Sequence, residues 1–460
     1  MQKIIAAHKD EIGYGVQGEM TRIEWQELCR QKVLEGRVSF SDWQVRLPLF
    51  NDQGLEPMPS YDYVVYDEQG REQRYGLSGR PARFVLDLVG MDFDRDVDLS
   101  NIEFNMPVLG AGAIFNQIFI CKTSIFRRLI DFRGAVFKSA VIFRDSEISD
   151  GALLNRVSFQ DVALFDDAKF RTGIADFSSS IFAKDAYFDG VEAEALFFDG
   201  ATMAAGFRLT GRGKEVGRQG LGRAMFRGVR FAGGADFSNR LFLESTDFGP
   251  RQSDVDSGGE KTYFQFAPRF YNSILHQDTS FADVVFAETA IKERGSALAF
   301  NVLRRSMQDQ QNAREEQKFL RLQFDAEREE SKRGASRLLY LIYKIVADYG
   351  LSVTRPAALL LIITVLGFWA MLIVAVCQMP LSVMKKISPE ALLGKAVIVS
   401  VLASLPPIGL NGQIADAQTA LAHGAGGHII ILLVIIFQRL LALGMWFFIA
   451  LGLRNLFRLR

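Results

Sequence analysis

The chain has 460 residues, 49% of them hydrophobic and 12% aromatic, which exceeds one ordinary core and implies two or three units. Its 53 Lys and Arg balance 53 Asp and Glu, so no global charge argues for nucleic acid and electrostatic partners must be sought in local patches. Cys29, Cys121 and Cys377 are isolated, with no C-x-x-C pair, which excludes a disulfide framework and a thiolate metal site and points to a reducing compartment.

The N-terminal stretch MQKIIAAHKDEIGYGVQGEM holds no apolar run long enough for a secretory signal, so export would rest on C-terminal helices. Residues 1–95 read as a cap or adaptor: an amphipathic helix over 20–34 with Trp25, Leu28 and Cys29, the strand-like YDYVVYD, and turns at Gly54, Pro57 and Pro59. A cap of this kind covers the open edge of a repeat array.

From residue 96 to 289 an internal repeat dominates. Phe132, Phe137, Phe143, Ile148, Leu154, Phe159, Phe165 and Phe170 stand alternately five and six residues apart, a period of neither helix nor flat strand. The beat runs on through Phe177, Phe182 and Phe188 and returns at Phe226, Phe231, Phe237 and Phe242. Two residues before many of these aromatics stands an alanine, as at Ala135, Ala163, Ala168, Ala175, Ala186, Ala224 and Ala235. A large and a small inward residue at every repeat suit a chain that turns a corner each time. Four sides would close a coil of about 22 residues, and the stack would form a rod about 40 Å long. Asp131, Asp176 and Asp236 are expected at solvent positions of the repeat.

Segments such as DFRGAVF, ALFDDAKF and ADFSSSIF resemble the pentapeptide-repeat family, in its variant F-x-x-A-x-F-x-x-x-A-D-F. The resemblance implies a right-handed quadrilateral β-helix with stacked Phe or Leu inside. The pattern departs from the family over 208–223 and 249–261, which are expected to be loops extruded from the stack.

Residues 290–349 form a helical connector, rich in helix formers and free of proline. Leu298, Val302, Met307, Phe319, Leu322 and Leu339 supply a broken apolar stripe that could pack on the last coil or in a helix–helix interface, the alternative being a solvated connector.

Residues 350–460 read as a membrane domain. The uncharged run over 356–378 has the length of a transmembrane helix, and 429–453 reads as a second span interrupted by Gln438 and Arg439. Arg333, Arg337, Lys344 and Arg355 precede the first span and Arg454, Arg458 and Arg460 follow the second, so the positive-inside rule places both termini in the cytoplasm. Between the spans, 391–410 is too apolar for a soluble loop and too short to span, which fits a re-entrant or pore helix stopped by Pro406 and Pro407. DYGLSVTRP before the first span and LGLRNLFRLR after the second resemble the flanks of a channel-like domain that follows pentapeptide repeats in bacterial membrane proteins. The resemblance implies a bacterial inner-membrane location. The filter motif T-V-G-Y-G is absent, so potassium selectivity does not carry over.

Arg439 is the residue most out of place, because an arginine at mid-span costs about 2.5–3.5 kcal/mol even on a permissive scale. It is either a pore or gating charge or a structural residue paired with a group such as Gln438 of a neighbouring helix; Gln438, Pro406, Pro407 and Gly409 complete the candidate pore set. GRGKEVG and GRQGLG miss the P-loop spacing, and Lys214 sits in what reads as a flexible basic loop. His8, His276, His423 and His428 read as ordinary loop and interfacial histidines, so no metal or cofactor is expected. No acid–base pair or nucleophile triad can be named, which reads as a non-enzyme.

Three functions compete. The first is a homo-oligomeric channel-like effector, with about four subunits because two helices cannot enclose a pore, and with the cytoplasmic solenoid as sensor or scaffold. The second is a membrane-anchored scaffold that binds an unidentified cytoplasmic protein. The third, DNA mimicry of the kind implied by soluble pentapeptide-repeat proteins, fits a membrane tether poorly, and no nucleic-acid partner is expected. The lipid bilayer and further copies of the chain are the expected partners.

Overall fold

A computed structural model of the chain describes residues 27, 29–31, 33–34, 63–66, 72–75, 86–104, 107–212, 220–249, 260–331, 334–378, 388–406, 421 and 424–457. It divides into two units, Met1–Gln310 and Gln311–Arg460.

The first unit is a parallel β-solenoid. Its repeating strands are only two residues long at most positions, from Leu86–Asp87 to Val285–Phe286, and four of them occur before the chain returns to the same place one coil later. Val136–Phe137 pairs in parallel with Ile114–Phe115 below and Ser158–Phe159 above, a repeat of 22 residues along the chain. One column of such strands contains nine members, so about eight steps at ~4.8 Å give a stack close to 38 Å long.

The beat of five and six residues maps onto columns of rings. Phe93, Phe115, Phe137, Phe159 and Phe182 stack on one another with centroids 4.6–5.5 Å apart, and Phe177, Phe198, Phe226, Phe248 and Phe281 form a second column at 4.7–5.3 Å. The ring spacing follows the strand spacing because the aromatics of the first column lie on strands paired coil to coil and those of the second directly follow such paired residues. Burying a phenylalanine contributes about 1.5–3 kcal/mol, and each ring pair adds about 0.5–1.5 kcal/mol. Phe132, Phe143, Phe165, Phe170, Phe188, Phe231, Phe237 and Phe242 are likewise buried, as are the seven alanines of the pattern.

The aspartates correct one expectation. Asp131 and Asp176 are buried, at 1% and 2% exposure, while Asp236 is half-buried. Their carboxylates accept from the backbone N–H two residues on, at Arg133, Ser178 and Ser238, over 2.9–3.1 Å, and Asp87, Asp98 and Asp247 repeat the arrangement. The carboxylate closes the turn after its strand, and at Asp87, Asp131 and Asp176 it lies inside the corner rather than in solvent. Left-handed residues occupy two turns of a coil, one column holding Gly90, Gly112 and Gly134 and the other Asn101, Thr123, Asp145 and Asp167.

The expected extruded loops are narrower than the sequence suggested. Phe207–Arg208 and Gly220–Met225 are strands of the stack, the latter pairing with Glu192–Phe197, and residues 213–219 and 250–259 lie outside the described residues. Both ends of the solenoid are covered. Cys29 and Val33, on helical residues, are buried, with Arg30 Nη2 donating to Asp92 O at 3.3 Å. The strands Tyr63–Tyr66 and Glu72–Tyr75 pair antiparallel. At the other end come helices α1 (Glu288–Lys292) and α2 (Ser296–Asp309). Phe300 of α2 sits edge-on to Phe286 at 5.5 Å, and Leu303 and Met307 are buried beside it. Leu298, expected in the apolar stripe, is 57% exposed, because the helix turns Phe300 and Leu303 inward instead.

The second unit contains α3 (Ala313–Glu330), α4 (Gly334–Ala347), α5 (Thr354–Gln378), α6 (Pro389–Ser404) and α7 (Gly424–Phe457). Helices α5 and α7 are long and apolar enough to cross a membrane, and only 17% and 22% of their most apolar stretches are buried. A core helix of a water-soluble protein would bury most of such a surface; these leave it open, as contact with lipid requires.

Candidate functional site

Of the sequence-derived pore residues, Gln438 and Arg439 fall on α7 and Pro406 stands just beyond the end of α6. Helix α6 begins with Ser388, whose Oγ accepts from Ala391 N at 3.4 Å, and with Pro389 in its first turn. It ends at Ser404, earlier than the expected limit of residue 410, because Leu405 precedes Pro406 and adopts the extended conformation that proline imposes on its neighbour. Pro406 is half-buried; Pro407 and Gly409 lie outside the described residues.

Sixteen residues make α6 about 24 Å long, short of the ~30 Å bilayer core. It packs against both long helices. Ala396, Val399 and Ala403 join Met371 and Ala375 of α5 and Ile431 and Ile435 of α7 in one apolar cluster, to which Leu421 also belongs.

At the C-terminal end of α6 the apolar cluster gives way to a polar one. Gln438 is buried, and its Nε2 donates to Ser400 O at 2.9 Å and lies 3.0 Å from Ser400 Oγ and 2.8 Å from Ser404 Oγ. Ser400 Oγ donates to Thr364 O at 2.5 Å, Thr364 Oγ1 stands 2.7 Å from Ser404 Oγ, and Trp446 Nε1 donates to Ser404 O at 2.9 Å. The carbonyl of Ser404 is one that the helix end leaves without an intrahelical partner, and Trp446 satisfies it. Thr364, Gln438 and Trp446 belong to the interiors of α5 and α7, so α6 ends between the two helices at mid-length rather than beyond an end of either.

Gln438 and Arg439 are neighbours in sequence and face different ways. Gln438 is turned into the three-helix centre, whereas Arg439, about 100° further around, is half-buried. Polarity alone did not distinguish their roles: Ser400, Ser404, Thr364 and Trp446, which make the site polar, look like ordinary members of apolar runs. The i, i+4 spacing of Ser400 and Ser404 was the one available signal.

Where α4 meets α5 the chain makes a left-handed turn through Asp348, Tyr349 and Gly350, with φ of 48°, 58° and 78°. Two non-glycine residues in that region cost about 1–2 kcal/mol each. The turn is held by Tyr349 Oη donating to Asp325 Oδ1 at 2.8 Å, by Arg321–Asp348 at 3.2 Å, and by Asn455 Nδ2 donating to Gly350 O at 2.9 Å. Burial, then the Asp325 hydrogen bond, push the Tyr349 phenol well above its ordinary value.

On the solenoid exterior Glu103, Arg127, Glu147, Arg171 and Glu192 form a ladder of alternating charge, with successive ion pairs of 2.8, 3.9, 3.3 and 3.5 Å. Among the described residues, no group of three or more His, Cys, Asp or Glu side chains is placed to hold a metal ion. Lys214 and His423 lie outside the described residues. No family model, curated protein or solved structure matches this chain.

The two units together define a β-solenoid scaffold joined to a pair of apolar helices suited to membrane anchoring.

Proposed function

We propose that the protein is an oligomeric, channel-like membrane effector rather than an enzyme. Its solenoid would be a right-handed, four-sided pentapeptide-repeat β-helix serving in the cytoplasm as sensor or scaffold, and α6 a re-entrant helix of a bacterial inner-membrane domain. The observation that carries this reading is the position of Ser404: α6 stops at the middle of the paired spans, bonded to Gln438 and Trp446. A short helix that ends at mid-depth brings non-helical backbone into the bilayer, which is tolerated where it is buried in protein or lines a water-filled path. Leu393, Val397, Ile398 and Val401 of α6 remain exposed and apolar, a surface for neighbouring subunits or lipid. Two spans enclose no pore, so conduction needs about four copies around an axis.

A second reading, the membrane-anchored scaffold for a cytoplasmic protein, is favoured by a different fact. The Gln438 Nε2 finds all its acceptors within one chain, and only Oε1 is without a partner among the described residues, so the donor side of the three-helix centre is complete without a neighbour. Mimicry of DNA gains no support from the alternating charge ladder, which gives that side no uniform negative potential.

The mass of the detergent-solubilised full chain, followed by ion flux from liposomes, separates the two. An assembly of about four copies that dissipates a gradient, with ion preference altered by Arg439→Glu and flux altered by Pro406→Ala without loss of assembly, supports the channel. A monomer in tight liposomes leaves the anchored scaffold.

A further inference from the structure

Helix α4 is the most amphipathic surface left open in the second unit. Leu338, Leu339, Leu341, Ile342 and Ile345 recur at helical spacing and are 56%, 67%, 40%, 47% and 60% exposed. Leu339 belongs to the apolar stripe for which packing on the last coil, a helix–helix interface and a solvated connector were all open; the structure turns it outward.

A second face makes polar contacts with α3. Arg337 Nη2 donates to Glu329 Oε2 at 2.9 Å, Tyr340 Oη to Glu327 Oε2 at 2.9 Å, and Lys344 Nζ to Asp325 Oδ1 at 2.7 Å. Three polar contacts along successive turns fix the roll of α4, so its apolar face cannot rotate onto α3. The clamped left-handed turn at Asp348–Gly350 fixes its other end only a few residues before Thr354, where α5 begins.

A further contact sets its level. The ring of Tyr343 lies 5.7 Å from that of Phe448, which is inside α7 and not at its tip, since the helix continues to Phe457. Helix α4 therefore stands beside the end of the span pair, at a height where the apolar surface of α7 has begun. Its open leucines and isoleucines extend that surface sideways. Tyr340, Tyr343 and Tyr349 cluster around Phe324 with ring centroids 5.1–6.1 Å from it, and tyrosine is the residue that favours the boundary between acyl chains and headgroups. Arg337, in the first turn of α4, and Arg355, in the first turn of α5, are about half exposed while paired with Glu329 and Asp348, within reach of anionic headgroups.

We infer that α4 is an interfacial membrane helix: its Leu338–Leu339–Leu341–Ile342–Ile345 face is inserted among acyl chains at the surface from which α5 enters, and α3 is carried on its water side. The inference rests on α5 and α7 spanning a bilayer. It makes the anchor wider than two helices and gives the protein a surface sensitive to lipid packing and headgroup charge.

The full chain, with Cys377 replaced by Ser and Cys29 and Cys121 retained as buried thiols, is reconstituted in phosphatidylcholine vesicles containing a minor share of phosphatidylglycerol. An environment-sensitive fluorophore is attached in separate variants at Leu339→Cys, at Arg337→Cys on the polar face, and at Leu361→Cys on the open face of α5. Quenching by lipids spin-labelled near the acyl carboxyl end is compared with quenching by aqueous iodide. The expected result is strong lipid quenching and weak iodide quenching at position 339, with the reverse at 337. Iodide quenching at 339 while 361 is quenched from lipid overturns the inference and leaves the spans intact. Protection of 339 from both quenchers also overturns it, because a second copy or another part of the chain then covers the face. Loss of lipid quenching at both 361 and 339 overturns the membrane reading itself.

Discussion

Gly367 on α5 lies directly against the carboxamide of Gln438 on α7, and a methyl group at position 367 would overlap the Oε1 atom. The glycine leaves room for the Gln438 carboxamide between the two helices at the point where the polar cluster forms, a role small residues play between packed apolar helices. Gly367→Ala is expected to push Gln438 away from Ser400 and Ser404 and to destabilise the membrane unit by about 1–3 kcal/mol. Gly444→Ala, at a position with no neighbour within 4 Å, is the matched control and should be neutral or slightly stabilising. Thermal unfolding of the two variants in detergent makes the comparison, and equal melting temperatures would remove the close-approach argument.

Phe165 is enclosed by the rings of Phe143, Phe177 and Phe188, with centroids 4.8–5.2 Å away. Phe165→Asp places a carboxylate there with no partner and should cost more than about 4 kcal/mol, enough to abolish protease resistance and β-rich circular dichroism. Asp167, two residues on, has φ of 55° and an ion pair with Arg212. Asp167→Gly suits that backbone and should cost no more than about 1 kcal/mol, the worth of an exposed pair. Comparable loss in both variants would mean that position in the ring column does not govern stability.

Arg240 is fully buried in the solenoid, with Nη2 donating to Val191 O, while Nε and Nη1 have no acceptor among the described residues. Burial lowers its basicity to about 10, opposed by the charges of Glu192 and Asp189. A base whose folded value is depressed binds its proton less tightly in the native state, so stability rises as pH climbs above about 10 and the charge is a cost at neutral pH. Arg240→Met should therefore raise the melting temperature at pH 7, by up to about 4 kcal/mol in stability. A lower melting temperature would show that the guanidinium stabilises the fold.

Burial pushes the Cys29 thiol up to about 12 and the Cys121 thiol well above its ordinary value. Thiols raised in the folded state remain protonated while those of the unfolded chain ionise, so their stabilisation is present below pH 9.0 and declines above it. In native protein a maleimide should label neither residue at neutral pH, and denaturation should expose both. Mass spectrometry after labelling checks this; rapid modification of native Cys29 would place the helical cap away from the first coil.

Reporter fusions test the orientation implied by the basic flanks of the spans. Fusions before Met1 and after Arg460 should be active in the cytoplasm, and one inserted near Gly424 should be active only outside. An inserted reporter found inside would break the pairing of α5 and α7 as a hairpin.

Much of this architecture was written in the sequence as spacing. Alternation of five and six residues in Phe132, Phe137 and Phe143 encodes a chain that turns after every short strand, and the uncharged run up to Cys377 encodes a helix long and apolar enough to span a membrane, because both signals depend only on residues close along the chain. Tertiary structure decided which polar groups lie inside. Asp131 reads as a surface residue until its turn is built, since its burial follows from a hydrogen bond two residues ahead and from coils stacked above and below it. Gln438 and Arg439 read as one interruption of a span until helix packing separates them, as Ser400 and Ser404 arrive from more than thirty residues away. Leu339 read as part of a broken apolar stripe that could be packed or solvated, and its outcome was undecided for the same reason: periodicity locates an apolar stripe on a helix, but only the three polar contacts of α4 with α3 determine which way that stripe points.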